Sequence, residues 1–128
     1  MAVQIDPGAT TRASLERARL RWGDRGAAVL ETGYAFGDGA PVAVHVRKRG
    51  SRYDLHDEGA AVRKAGRPRG WLELVEDVVA EAGFNVNRAG VVFVPVVEGR
   101  DLAAIAARLA ACALDVHAAL LELRDPEP

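Results

Sequence analysis

Two histidines and an aspartate lie close together around a short turn: His45 in PVAVHVRK, and Asp54 and His56 in YDLHDEG. Two imidazoles and a carboxylate can bind a divalent metal, and the same groups can hold and move a proton. The turn between them makes the grouping concrete. In Arg49-Gly50-Ser51-Arg52, glycine at the first loop position suits a type II′ hairpin. A two-residue loop at Gly50-Ser51 fixes the register. Arg49 then faces Arg52, Arg47 faces Asp54 and His45 faces His56, while Val46 faces Leu55 and Lys48 stands beside Tyr53. The imidazoles become cross-strand neighbours with Cβ atoms about 5 Å apart. A metal-dependent enzyme at His45, Asp54 and His56 is therefore one expectation. Arg47 and Arg49 oppose it, because a guanidinium repels a cation. A solvated sheet face with Arg47 paired to Asp54 accounts for the same residues, so no catalytic residue, metal or cofactor is assigned.

Asp57 and Glu58 follow directly. Asp57 suits the N-cap of a short helix ending at Gly66, with its carboxylate accepting free amides, and Glu58 is an acid in the first turn. The segment is thus expected to be a seam between strand and helix. Other reactive signatures are missing. No GxxxxGK occurs, and no GxGxxG follows a strand. Cys112 is the sole cysteine, so an internal disulfide and a multi-cysteine zinc site are both impossible. It falls among Leu109 and Val116 at an apolar helix position, where a small filler is expected. Ser14 and Ser51 fall in an arginine-rich helix and a turn, poor places for a nucleophile.

Charge is unevenly placed although the net charge is only -1. Between His45 and Gly70 stand Arg47, Lys48, Arg49, Arg52, Arg63, Lys64, Arg67 and Arg69, against Asp54, Asp57 and Glu58. The remainder of the chain from Trp71 is acidic. Arg47, Lys48, Arg49 and Arg52 on the hairpin can lie along phosphates, which makes an accessory protein contacting nucleic acid the second expectation. Aromatic residues are only 5% of the chain, and the basic segment shows no exposed stacking platform.

The elements that position these residues follow from periodicity. With 128 residues, 49% hydrophobic and 27% charged, one domain with a real core is expected. Residues 1–9 and 125–128 read as flexible ends. Thr10 or Thr11 can cap a helix to about Trp22, with Leu15, Ala18 and Trp22 inward. Ala28 to Thr32 is a short strand, Asp38-Gly39 a turn, and Pro41 to Lys48 and the YDLH segment the hairpin. A helix from Trp71 to Ala82 ends at Gly83. Phe84 to Val86 and Val91 to Val97 form a second hairpin, the latter strand apolar enough to be covered on both faces, with Pro95 marking an edge or bulge. The last helix runs from about Gly99 to Arg124. The order α-β-β-β-α-α-β-β-α gives an α+β fold: an antiparallel sheet of about five strands from two hairpins, with helices on one face.

Asp38-Gly39, Asp57-Glu58-Gly59, the helix pair and GFNVNRAGVVFVPV together resemble a family of small bacterial and phage proteins known as a domain of unknown function. The resemblance spans residues 27 to 124, about three quarters of the chain. It implies a compact domain and supplies no activity. Arginine well above lysine and abundant alanine fit a GC-rich bacterial genome. A single cysteine fits the cytoplasm, and no apolar run is expected to reach the ~20 residues of a membrane helix.

The last helix sets the leading functional expectation. Leu102, Ile105, Leu109, Cys112, Val116, Ala119 and Leu123 make one apolar stripe. Ala107, Leu114, Ala118 and Leu121 lie round another side. A helix apolar on two sides needs two surfaces to pack against: the sheet is one, and the other is either the first helix of the same chain, through Leu15, Ala18 and Trp22, or a second copy, the second copy being the leading expectation. We therefore expect a non-enzymatic interaction module that forms a homodimer through Ala107, Leu114, Ala118 and Leu121, with a further protein as its partner.

Overall fold

Strict alternation in PVAVHVRKR, with valines at every second position, builds the central strand of the sheet. A computed structural model describes residues 2–4 and 27–125 of the chain. The strands are β1 (Ala2–Gln4), β2 (Ala27–Ala35), β3 (Pro41–Arg49), β4 (Arg52–His56), β5 (Asn85–Val86) and β6 (Val92–Glu98). The helices are α1 (Ala60–Ala65), α2 (Trp71–Ala82) and α3 (Leu102–Arg124), the last entered through one 3₁₀ turn at Gly99–Asp101. The sheet order is β1-β2-β3-β4-β6-β5. The fold is α+β, as the element order predicts.

One expectation about the first residues changes, and another is not reached. Ala2–Gln4, expected to be a flexible lead-in, pairs in parallel with β2, so the sheet gains a sixth strand. The helix expected over residues 10 to 22 lies outside the described residues. β2 is also longer than expected, since the ladder to β3 resumes at Ala35 after an irregularity beginning at Glu31.

The β3–β4 register is the one the two-residue loop demands: Arg49 with Arg52, Arg47 with Asp54, His45 with His56, Val46 with Leu55 and Lys48 with Tyr53. Gly50 has φ 62° and Ser51 does not take positive φ, which is the type II′ pattern. Leu30, Val42, Val44, Val46 and Leu55 are buried in one cluster with Val62 of α1, Val75 and Val79 of α2, and Leu109, Val116 and Leu120 of α3. The helices therefore cover one sheet face.

Gly83 closes α2 at φ 84°, and the Phe84 amide reaches back to the Val79 carbonyl, the glycine cap expected there. Gly90, at φ 84°, lets the β5–β6 turn lie against α1: an added Cβ would stand 3.0 Å from Val62. β6 departs from expectation. Pro95 does mark a bulge, because Tyr53 faces Val97 while Leu55 faces Val94. But the strand is not covered on both faces, since Val96 is 56% exposed.

The last helix also corrects a sequence expectation. Gly99–Arg124 is long and apolar enough, by length and composition, to cross a membrane. Ten of its residues are buried in this fold, among them Leu102, Ala106, Leu109, Ala113, Val116 and Leu120. Its hydropathy is thus explained by its place as a core helix.

Candidate functional site

The open face of the sheet carries the two histidines. Cross-strand pairing stacks their rings, 5.1 Å between centroids and 9° from parallel. Asp54 does not join them. Its Oδ1 accepts the Val96 amide at 3.1 Å inside the β6 bulge, and its Oδ2 pairs with Arg49. Arg47, expected on Asp54, is not its partner. Glu58 takes the place foreseen for Asp54: its Oε2 lies 2.8 Å from Nε2 of His45, and its amide donates to Nδ1 of His56 at 3.0 Å. Sequence reasoning missed this contact, because Glu58 reaches the face only through a left-handed φ of 59° in the turn after β4. Among the described residues, no three His, Cys, Asp or Glu side chains gather to hold a metal.

Burial pulls the pKa of His56 below its ordinary value, and the neighbouring His45 adds to this. The hydrogen bond agrees, since an Nδ1 that accepts an amide must be unprotonated. Beside this pair a groove of about 460 Å³ runs between β4 and β6, past Asp54, His56, Glu58, Asn87, Phe93 and Pro95. No Ser, Thr, Cys or Lys lines it. Its polar groups are engaged within the protein, while Val91, Phe93, Val94 and Pro95 supply apolar surface.

Asp57 sits behind the same turn and is 2% exposed. The expected N-cap holds only in part. The residue flanking α1 is Gly59, at φ 76°, and Asp57 precedes it by two. Its Oδ1 accepts the amides of Gly59 at 2.7 Å and Val92 at 2.9 Å, and Oδ2 that of Ala61 at 3.4 Å. One carboxylate therefore ties the start of α1 to β6. Burial pushes its pKa above the usual carboxylate value, and the three amides offset only part of that rise. This is a structural bridge: every oxygen lone pair in use points at backbone.

The basic hairpin is partly neutralised. Arg49 pairs with Asp54 and Arg52 with Glu98 at 3.4 Å, leaving Arg47 and Lys48 without an acid among the described residues. Cys112 is buried in α3, and burial raises its thiol to about 11, far from a reactive thiolate.

On α3 the four residues of the expected dimer face divide. Ala107 is 7% exposed and already inside the fold. Ala118 is exposed, and Leu114 and Leu121 are half-buried at the edge of the core. The chain matches no protein-family model, no curated protein and no solved structure.

Proposed function

We propose that the protein is a non-enzymatic interaction module that works as a homodimer, paired through α3. The observation behind this reading is the uncharged line Leu114–Ala118–Leu121, which stays partly in solvent beside the exposed charged line Arg108–Asp115–Glu122. Alanine between two leucines lets a second helix approach closely.

Charge sets the offset of an antiparallel pairing of two copies. Arg108 and Glu122 are fourteen residues apart on one exposed line, with the exposed Asp115 at their midpoint and Leu114 beside it. A two-fold axis crossing α3 near Leu114 sets Arg108 of each copy beside Glu122 of the other, and the contact runs along the Leu114–Ala118–Leu121 side with the two Asp115 carboxylates at its rim. Arg108 donates to the Ala82 carbonyl at 3.1 Å and has no acid partner among the described residues. The groove on the open sheet face fits the non-enzymatic part of the reading, since its apolar surface has a polar rim without Ser, Thr, Cys or Lys.

Ala118→Glu tests the pairing without touching the core, because Ala118 is exposed. Sedimentation velocity should show the variant as a monomer with unchanged circular dichroism. A dimer that survives Ala118→Glu contradicts pairing through α3.

A further inference from the structure

Among the described residues four basic side chains answer an acid: Arg49 meets Asp54, Arg52 meets Glu98, Lys64 meets Asp38 and Arg124 meets Asp125. Arg63 and Arg67 do not. Each is fixed by a backbone carbonyl instead, Arg63 through Nη1 to Glu58 at 3.0 Å and Arg67 through Nη2 to Ala89 at 2.7 Å. The Arg67 guanidinium is also held over the Trp71 ring, 5.2 Å from its centroid. A carbonyl orients a guanidinium without cancelling its charge. Both groups line one cleft of about 320 Å³ between α1 and the β5–β6 turn, together with Gly59, Val62, Gly66 and Ala89. Gly66 leaves that wall open, with nothing within 4 Å of the place a Cβ would occupy. The one acid lining the cleft, Glu58, has its carboxylate committed to His45 on the sheet face.

We infer that this cleft is a binding site for a phosphomonoester, with Arg63 and Arg67 as its two forks. A guanidinium carries five N–H donors in a planar fork that matches phosphate oxygens in pairs. One donor on each arginine is used by the protein, so both can still present a pair. The carbonyl anchors and the Trp71 ring already restrict these long side chains, which lowers the ordering cost on binding. A terminal phosphate fits better than a nucleic-acid backbone. Of the four basic residues on the hairpin that would extend a phosphate track, Arg49 and Arg52 are paired with acids, which leaves only Arg47 and Lys48 for it.

Calorimetry and ³¹P chemical shifts test the site on the full chain, with inorganic phosphate and a nucleoside 5′-monophosphate as probes. Both should bind saturably, and for each the dianion should bind better than the monoanion as pH rises through its second phosphate pKa, about 6 for the monoester and higher for inorganic phosphate. Arg67→Gln and Arg63→Gln should each weaken binding about tenfold or more, a loss on the scale of one charge-assisted pair. Arg67→Lys keeps the charge, removes the fork and should fall between. Circular dichroism of every variant should match the parent. A single-stranded oligonucleotide with a 5′-phosphate should bind more tightly than the same oligonucleotide without it. Absence of saturable phosphate binding, or binding that survives both glutamine changes, overturns the inference. So does equal affinity for the two oligonucleotides, which would point to backbone contact.

Discussion

The Nδ1 atom of His56 accepts the amide of Glu58, and burial of the ring, with His45 beside it, sets the pH behaviour of the turn. The charged and titratable groups near it are His45 across the ladder and Asp57 and Glu58 in the following turn. Its folded pKa lies below the ordinary 6.5, so the unfolded chain binds the proton more readily. The stability from neutral His56 is full above 6.5 and declines as pH falls from there towards the folded pKa. A urea midpoint that drops between pH 7.5 and 5.5 is expected, with a shallower drop in His56→Phe. Equal slopes in the two proteins would show that His56 does not carry the effect. Asp57 predicts a different outcome. With Asp57→Ala, buried amides of Gly59 and Val92 lose their acceptor, and urea denaturation should show a loss of about 2–3 kcal/mol. Asp57→Ser should also cost more than an ordinary cap exchange, because one hydroxyl oxygen does not replace a carboxylate spanning α1 and β6. A change below about 0.5 kcal/mol for both would remove the bridge from the account.

Val96 shows the element scale most clearly. It holds φ 60° in the β6 bulge although its side chain is β-branched and mostly exposed. That conformation costs roughly 1–2 kcal/mol in a residue with a Cβ. Val96→Gly should therefore stabilise the fold by about 0.5–1 kcal/mol, the gain partly offset by the freer unfolded chain. A destabilised variant by thermal denaturation would mean that Val96 makes contacts outweighing its strain. The bulge itself was legible, since Pro95 cannot donate to a ladder, but the positive φ at Val96 was not. It arises where Asp54 on another strand takes the Val96 amide. The same division holds elsewhere. The β3–β4 ladder was readable residue by residue because a two-residue loop leaves one register. The ends of α2 were readable because the Gly83 cap is local. β1 was not, since three edge residues carry no periodicity. Glu58 at His45 was not, because no spacing rule reports a side chain that reaches back past a left-handed turn. Asp57 was half readable: its position announced the start of a helix, while its bond to Val92, 35 residues away, is tertiary.

At the scale of the whole molecule, the account turns on what α3 does with its uncharged outer line. The sheet takes one side of this helix, and α1 and α2 lie against it as well. Leu114, Ala118 and Leu121 form the uncharged part left partly in solvent. In the proposed dimer a second copy covers that line and sets its Glu122 beside Arg108, with the alanine between the leucines giving room for the close approach. Multi-angle light scattering of the unmodified protein from low micromolar to about 100 µM is the direct measurement. The account predicts a mass near twice the 13.6 kDa chain, falling towards one chain on dilution. A mass of one chain at every concentration would contradict it.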